Sequence, residues 1–405
     1  MFTPLVRNRT YRCLFLAQLL SLMGTGLATV ALGLLAYDLA GADAGVVLGT
    51  ALFIKMVAYV FVAPIVGGYV GTLPRRGVLV SLDLARALIV LALPWVDQIW
   101  QIYVLILVLQ VASAAFTPTF QATIPSVLPD EEEYTKALSL SRLAYDLENL
   151  LSPMLAAALL AVMTFHWLFA GTALGFLASA ALVGAAGLAL AREAGRQDSF
   201  FQRVTRGIRI YVSKPYLRGF LGFNLAISGT SAFVIVNTVV FVRVLLGGDD
   251  GDVAIALGAF GAGSMASAFV LPRLLNHRSE RAVISAGGIL TAVVFSGLGA
   301  ILLFQSASWT LLLAGWLLAG VGFSAVLTPI GRLLRRAAPE DDLPAIFAAQ
   351  FALTHVCWLI TYPLAGFLGD ALGLPETVLV MGVVAWVGVG IGFMCWPAGK
   401  IGDTR

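Results

Sequence analysis

Charge is what this sequence has least of. Only 12% of its 405 residues are Asp, Glu, Lys or Arg, against roughly 25% in soluble domains, which excludes a soluble globular fold. Histidine and cysteine each occur three times. Cys13, Cys357 and Cys395 form no Cys-x-x-Cys pair, so neither a disulfide framework nor a zinc-finger spacing is present. No nucleophile–base constellation and no cofactor motif lies outside the apolar runs, so the chain is not expected to be an enzyme or to need a cofactor. The run Gly258 to Gly263 is glycine-rich but lies within an apolar stretch, which excludes a nucleotide loop. The net charge of +3 does not point to nucleic acid, because the basic residues are sorted by membrane side rather than pooled.

What the sequence has in excess is apolar length. Hydrophobic residues make up 60% of the chain and the mean hydropathy is +0.93. A membrane helix needs about 20 mainly apolar residues. Twelve such segments are expected, near 13–37, 46–69, 77–95, 101–124, 139–164, 167–190, 217–244, 253–271, 282–304, 309–331, 344–368 and 375–396. The first follows Arg7, Arg9 and Arg12 but is too long for a signal peptide and reads as a span. With both termini inside, all but two of the 25 Lys and Arg residues fall in cytoplasmic segments or at cytoplasmic helix ends. The exceptions are Lys55 in helix 2 and Arg243 near the outer end of helix 7. That asymmetry sets the orientation by the positive-inside rule.

The second half of the chain repeats the first at an offset of roughly 205–211 residues. Tyr11, Phe15 and Gly24-Thr25 recur as Tyr216, Phe220 and Gly229-Thr230. Leu48-Gly49 recurs as Leu257-Gly258, Thr117-Pro118 as Thr328-Pro329, and Pro153 as Pro363. The expected organisation is therefore a six-helix half over 1–190, a cytoplasmic linker over 191–216 and a second six-helix half over 217–405. In the linker, Arg203, Arg206, Arg209 and Lys214 interleave with Phe200, Phe201, Val204, Ile208 and Tyr211. This spacing predicts an amphipathic helix at the inner membrane surface. Two homologous membrane halves point to a transporter with its substrate site at their interface.

Polar residues within the spans recur on single helix faces. Helix 1 carries Gln18, Ser21, Thr25 and Thr29, and helix 4 carries Gln110, Ser113, Thr117 and Gln121, both at i, i+3, i+7 and i+11. Helix 7 carries Asn224, Ser228, Ser231 and Thr238, and helix 10 offers Ser324 and Thr328. Such stripes face protein or water rather than lipid. They line a cavity or hold helices together.

Helix 5 holds the densest ionic cluster: Arg142, Tyr145, Asp146, Glu148 and Asn149. Arg142 and Asp146 have the spacing of an anchoring i,i+4 pair, and Glu148 has no basic residue at either i±3 or i±4. A carboxyl at that depth binds a proton unless partnered or wetted, which suits a proton-coupled exporter. Lys55, between Ile54 and Met56, needs a carboxylate partner, for which Asp146 and Glu148 are the candidates. Asp83 and Arg86, at i,i+3, are expected near the inner end of helix 3 as a gating or structural pair. His355 and Cys357 on helix 11 are tentative metal ligands by chemistry. They point about 200° apart around the helix, and the alternative is a core histidine beside an inert thiol. Gly258, Gly261 and Gly263 predict a close helix contact through helix 8.

The six-plus-six arrangement with a basic central loop resembles the major facilitator superfamily. Between helices 2 and 3 that family carries a Gly-x-x-x-Asp-Arg-x-Gly-Arg-Arg-like motif. Here the stretch runs from Gly67 to Arg76 and keeps Gly67, Arg75 and Arg76, with Gly71 and Thr72 at the Asp-Arg positions. The resemblance implies a gating role for Arg75 and Arg76, and Asp83 with Arg86 is similar to a run in bacterial efflux members. Pro153 matches the proline of the antiporter motif, and 139–153 and 347–363 resemble a branch containing nickel-resistance exporters. The histidine-rich tail of that branch is absent from Lys400 to Arg405. The resemblance implies an all-α transporter whose helices 1, 4, 7 and 10 line the cavity. It implies export of a lipophilic or cationic drug-like compound in exchange for protons, by a monomer in the bacterial inner membrane with both termini cytoplasmic. A nickel or cobalt exporter and a siderophore or anionic-metabolite exporter are the alternatives, the last with Lys55 and Arg142 as contacts.

Overall fold

The structure, a computed structural model, describes residues 3–62, 74–188, 200–275, 277–337 and 343–396, and the described residues form helices without a strand. After a short turn at Thr3–Arg7 come α1 (Arg9–Ala40) and α2 (Ala44–Val57), which continues into a π-helical turn at Ala58–Val62. Four more follow: α3 (Arg75–Ala92), α4 (Ile99–Val127), α5 (Glu131–Leu160) and α6 (His166–Ala185). A linker helix covers Phe200–Ser213. The second set is α7 (Pro215–Val240), α8 (Asp250–Leu274), α9 (Glu280–Phe304), α10 (Trp309–Leu327), α11 (Leu343–Leu372) and α12 (Leu374–Cys395).

Among the described residues, ten stretches are long and apolar enough to cross a membrane. The first, Arg9–Phe61, is broken at Gly41–Asp43 and holds both α1 and α2. Counted together with α5, these agree with twelve spans. Helix starts follow local chemistry. Asp130, Asp249, Ser279 and Ser308 each accept a hydrogen bond from the backbone three residues on, capping α5, α8, α9 and α10. Gly373, at φ +94°, lets the chain reverse between α11 and α12.

Packing divides the chain into two compact units, 1–40 with 57–197 and 41–56 with 198–405. Most of α2 therefore packs with the second unit, although the sequence repeat groups it with the first. Glycine explains this. A Cβ on Gly49 would stand 2.9 Å from the Tyr362 carbonyl oxygen, and one on Gly366 would stand 2.5 Å from that of Gly45. Only bare backbone allows α2 to lie this close to α11. Asn237 of α7 closes the crossing by donating from Nδ2 to the Ala365 carbonyl at 2.9 Å.

The repeat is visible inside each unit. In the first, α1 packs on α6: Thr172 Oγ1 donates to the Gly24 carbonyl at 2.8 Å, and a Cβ on Gly175 would meet the Leu20 carbonyl at 2.7 Å. In the second, α7 packs on α12 through Gly222 and Gly388, each of whose Cβ atoms would meet the partner helix's backbone within 2.7 Å.

The linker helix uses its apolar face on protein. Tyr211 is fully buried in the second unit's core, with Ile208 and Ile210 packed beside it, and its hydroxyl donates to Gln350 Oε1 of α11. Arg206 and Arg209 are exposed. The amphipathic pattern is thus satisfied by α11. Burial raises the Tyr211 phenol well above its ordinary range, so the hydrogen bond keeps its donor at any physiological pH. Tyr211→Phe leaves Gln350 unpaired and is expected to cost about 1–3 kcal/mol locally. Trypsin should then cut at Arg206 and Arg209 faster than in the wild type. An unchanged cleavage rate would mean that the apolar face alone holds the helix.

Candidate functional site

A polar cluster is built into the membrane-spanning part of the first unit. Its centre is an ion pair on α3: Arg86 donates from Nη2 to Asp83 Oδ1. Asp83 is fully buried and Arg86 is 4% exposed. At about 1.5 Å per residue they lie ~12 and ~16 Å along α3 from Arg75, deeper than an inner-end pair. Arg86 therefore joins Lys55 as a basic residue inside a span. Ser179 of α6 donates to Asp83 Oδ2 at 2.7 Å. The Arg86 guanidinium sits 4.0 Å from the Phe116 ring centroid and 4.4 Å from that of Phe176. This sandwich between α4 and α6 replaces part of the hydration the cation has lost. Its Nε is buried without a hydrogen-bond partner among the described residues.

The π-helical turn of α2 brings Tyr59 to this pair, and such turns often mark functional positions. Tyr59 shares a hydrogen bond with the Thr117 side chain and lies in electrostatic range of both Arg86 and Glu148. Tyr145 of α5 also lies in range of Arg86. Tyr145 and Glu148 share one stripe of α5, three residues apart. Glu148 is partly exposed and sits ~26 Å from the start of α5 and ~18 Å from its end. That places it near the middle of the helix. Gly26 of α1 makes room for it: a Cβ there would fall 2.1 Å from Ser152 Oγ and 3.6 Å from Glu148 Cγ. Two turns back along α5, Ser141 donates to Gln18 Oε1 at 3.0 Å. Of the sequence candidates, Glu148, Asp83, Arg86 and Thr117 are thus brought together, and Gln18 is a helix contact. Tyr59 and Ser179 are additions that sequence missed. Tyr59 gave no signal because it follows apolar residues and its turn is not helical in period. The side chains of Arg142, Asp146, Asn149 and Gln121 lie outside the described residues, as does the motif stretch from Gly67 to Leu73. Arg75 and Arg76 open α3.

The hydroxyls of α1 and α4 also bond within their own helices. Thr25 donates to the Ser21 carbonyl and Thr117 to that of Ser113, and Ser21, Gln110 and Ser113 are buried.

In the second unit, Asn224, Ser228 and Ser231 are buried on α7. Asn224 Nδ2 donates to Ser228 Oγ at 3.3 Å, and the Cys357 thiol hydrogen-bonds the Asn224 side chain. Ser324 and Thr328 share a hydrogen bond. His355 is engaged through Nδ1 by the Phe351 carbonyl at 2.6 Å, and lies in electrostatic range of Lys55. The register agrees: α2 and α11 run antiparallel from the Gly49–Tyr362 contact, which carries Lys55 to the level of His355. Lys55 thus lies at the level of a histidine. Among the described residues no group of three His, Cys, Asp or Glu side chains is placed to hold a metal ion. A ladder of rings from three helices stands nearby. Centroids are 5.5 Å apart for Phe260–Phe323, 6.5 Å for Phe323–Trp358 and 5.0 Å for Trp358–Tyr362. Arg243, just past the end of α7, pairs with Asp250.

The profile of the Major Facilitator Superfamily matches residues 14–298 and 229–400. Two relatives from Bacillus subtilis strain 168 are uncharacterized MFS-type transporters. YfiS is 24% identical over 356 residues, covering 85% of this chain and 83% of YfiS. YvqJ is 22% identical over 404 residues, covering 95% and 92%. Among solved structures, a bacterial homolog to the human lysosomal transporter Spinster, inward-facing and unoccupied, superposes with a TM-score of 0.74 at 9% identity, covering 95% of this chain and 96% of that one. A POT family transporter in complex with a thioalcohol-conjugated peptide superposes with a TM-score of 0.70 at 14% identity, covering 95% of each. These likenesses carry the fold. Twelve spans in two repeated halves, with a profile match across nearly the whole length, place the chain in the major facilitator superfamily of membrane transporters.

Proposed function

We propose that this transporter exports a lipophilic, aromatic drug-like compound from the cytoplasm of a bacterial cell in exchange for protons. Glu148 serves as the proton carrier. The observation that carries this reading is Glu148 itself: a carboxyl near the middle of a membrane helix, in range of a hydroxyl that also senses a buried arginine. A carboxyl is a side chain that can take up and release a proton during a transport cycle. The ring ladder Phe260–Phe323–Trp358–Tyr362 supports an aromatic substrate, because tilted and edge-on rings favour flat apolar ligands. The basic residues at one set of helix ends support cytoplasmic termini.

The test is proton movement in energised everted membrane vesicles holding the wild-type protein. Ethidium, nickel and cobalt are added separately. Proton release on ethidium is the expected result. Release on a metal alone would replace the aromatic substrate with a cation. Silence to all three would sink proton-coupled export of this class of compound.

A further inference from the structure

We propose that the ends of α7, α9 and α12 form a site for one anionic phospholipid, with Arg281 holding its phosphate and Phe393 and Met394 its acyl chains. The inference stands apart from the reading of Glu148, which lies in the other unit.

The three helix ends meet at Trp396, the residue that follows α12. Its ring lies 6.3 Å from that of Tyr216 in the first turn of α7, and a Cβ on Gly219 would stand 2.5 Å from Trp396 Cβ. The Trp396 carbonyl accepts a hydrogen bond from Arg281 Nε of α9 at 3.0 Å. The Arg281 guanidinium also sits 5.5 Å from the Phe393 ring centroid, close enough for a cation–π contact. It is thus held by one edge and one face. Its two Nη groups have no acceptor among the described residues, and the side chain is partly exposed. Such a fork matches a phosphate, whose oxygens accept from both donors.

Arg281 lies in the first turn of α9, where a cation opposes the helix dipole. A bound anion removes that penalty. Glu280 beside it is not that anion, because both of its oxygens are taken by Arg336 of the short helix Ile330–Ala337, at 3.2 and 3.0 Å. A second donor is idle at the same place. The Trp396 indole N–H is buried without an acceptor, a costly state that a phosphate or ester oxygen relieves. Exposed cations stand within a few residues of the site: Arg218 on α7, Arg278 before α9 and Arg335 beside Arg336. Such basic clusters at a membrane face attract anionic headgroups.

The apolar side selects a lipid over a soluble phosphate. Phe393 is 38% exposed and Met394 76% exposed, at the end of a helix long and apolar enough to span the membrane. They precede Trp396 by no more than a turn, so apolar surface adjoins the phosphate-binding fork as acyl chains adjoin a headgroup. Trp396 and Tyr216 are the residue types that favour this level of the bilayer.

The test titrates the purified full-length protein in neutral detergent with phosphatidylglycerol or phosphatidylcholine and counts bound lipid by native mass spectrometry. The wild type should retain one phosphatidylglycerol in preference to phosphatidylcholine. Arg281→Gln should weaken that binding about fivefold or more. Arg281→Lys, which keeps the charge but not the planar fork, should weaken it too. Arg9→Gln is the control, since Arg9 is an exposed cation at the start of α1 in the other unit, and it should change nothing. Equal losses in Arg281→Gln and Arg9→Gln would mean diffuse attraction to the whole basic face and would overturn the site. Wild-type binding that does not distinguish the two lipids would do the same. Glycerol 3-phosphate has the headgroup chemistry without acyl chains and should not displace the lipid. Displacement would make the ligand a soluble phosphate ester and end the lipid assignment. If Arg281→Gln does not fold, Arg281→Lys and Met394→Gln still decide the question, because binding that ignores both leaves no site.

Discussion

Glu148→Gln is expected to abolish proton-coupled transport while sparing the fold. Glutamine keeps the length and polarity of the side chain and removes only its ability to bind and release a proton. Near the middle of a membrane helix no solvent proton carrier substitutes for it, since ionisable groups there are few and placed by the protein. Coupled flux should fall at least about 100-fold, in line with the loss of an essential proton-transfer group. Substrate exchange that moves no net proton should survive. The measurement is a pair of assays in proteoliposomes with ethidium as probe: dye-driven acidification, and dye counterflow at equal pH on both sides. Loss of the first with retention of the second supports the assignment. Full acidification by the variant would remove Glu148 from the mechanism.

The second large effect is on folding. Gly263→Val should prevent the second unit from assembling. A Cβ on Gly263 of α8 would stand 1.9 Å from the Leu317 carbonyl oxygen of α10, and one on Gly320 would stand 2.0 Å from that of Phe260. The obstacle in both cases is backbone, which no rotamer change relieves. Overpacking of a side-chain core costs about 1–3 kcal/mol, and separating two main chains costs more. Gly263→Val should run as aggregate in fluorescence-detected size-exclusion chromatography. Gly258→Ala on the same helix is the control, because nothing lies within 4 Å of its added Cβ, and it should match the wild type in elution and thermal midpoint. A monodisperse Gly263→Val protein with an unchanged midpoint would show that α8 and α10 do not cross this closely in the membrane.

These two cases mark how far the sequence reads. The glycines of α8 announced a close contact, and periodicity located the helices because lipid imposes one length and one polarity on each span. Sequence treated Gly258, Gly261 and Gly263 alike, however. Only the crossing with α10 separates Gly263, which touches backbone, from Gly258, which faces open space. The polar stripes were legible in the same partial way. Gln18 was read as a stripe residue, and its hydrogen bond with Ser141 at 3.0 Å comes from the angle at which α1 meets α5.

The ionic site divides along the same line. That Glu148 and Lys55 are charges within membrane helices follows from the sequence, because a carboxylate or an ammonium inside an apolar run is conspicuous whatever the fold. Partners belong to tertiary structure, since they come from other helices. Lys55 reaches the level of His355 because glycines 45, 49 and 366 let α2 lie on α11. The depth of Asp83 and Arg86 depended on where α3 begins, and their aromatic clamp on α4 and α6. Tyr59 entered the site through a π turn that shifts its side chain off the helical period. By itself the sequence determined membrane residence, the number of spans and the repeat, because each of these depends on one-dimensional hydropathy and spacing. The tertiary structure alone decided which charges meet, because meeting depends on helix crossings fixed by backbone contacts at single glycines.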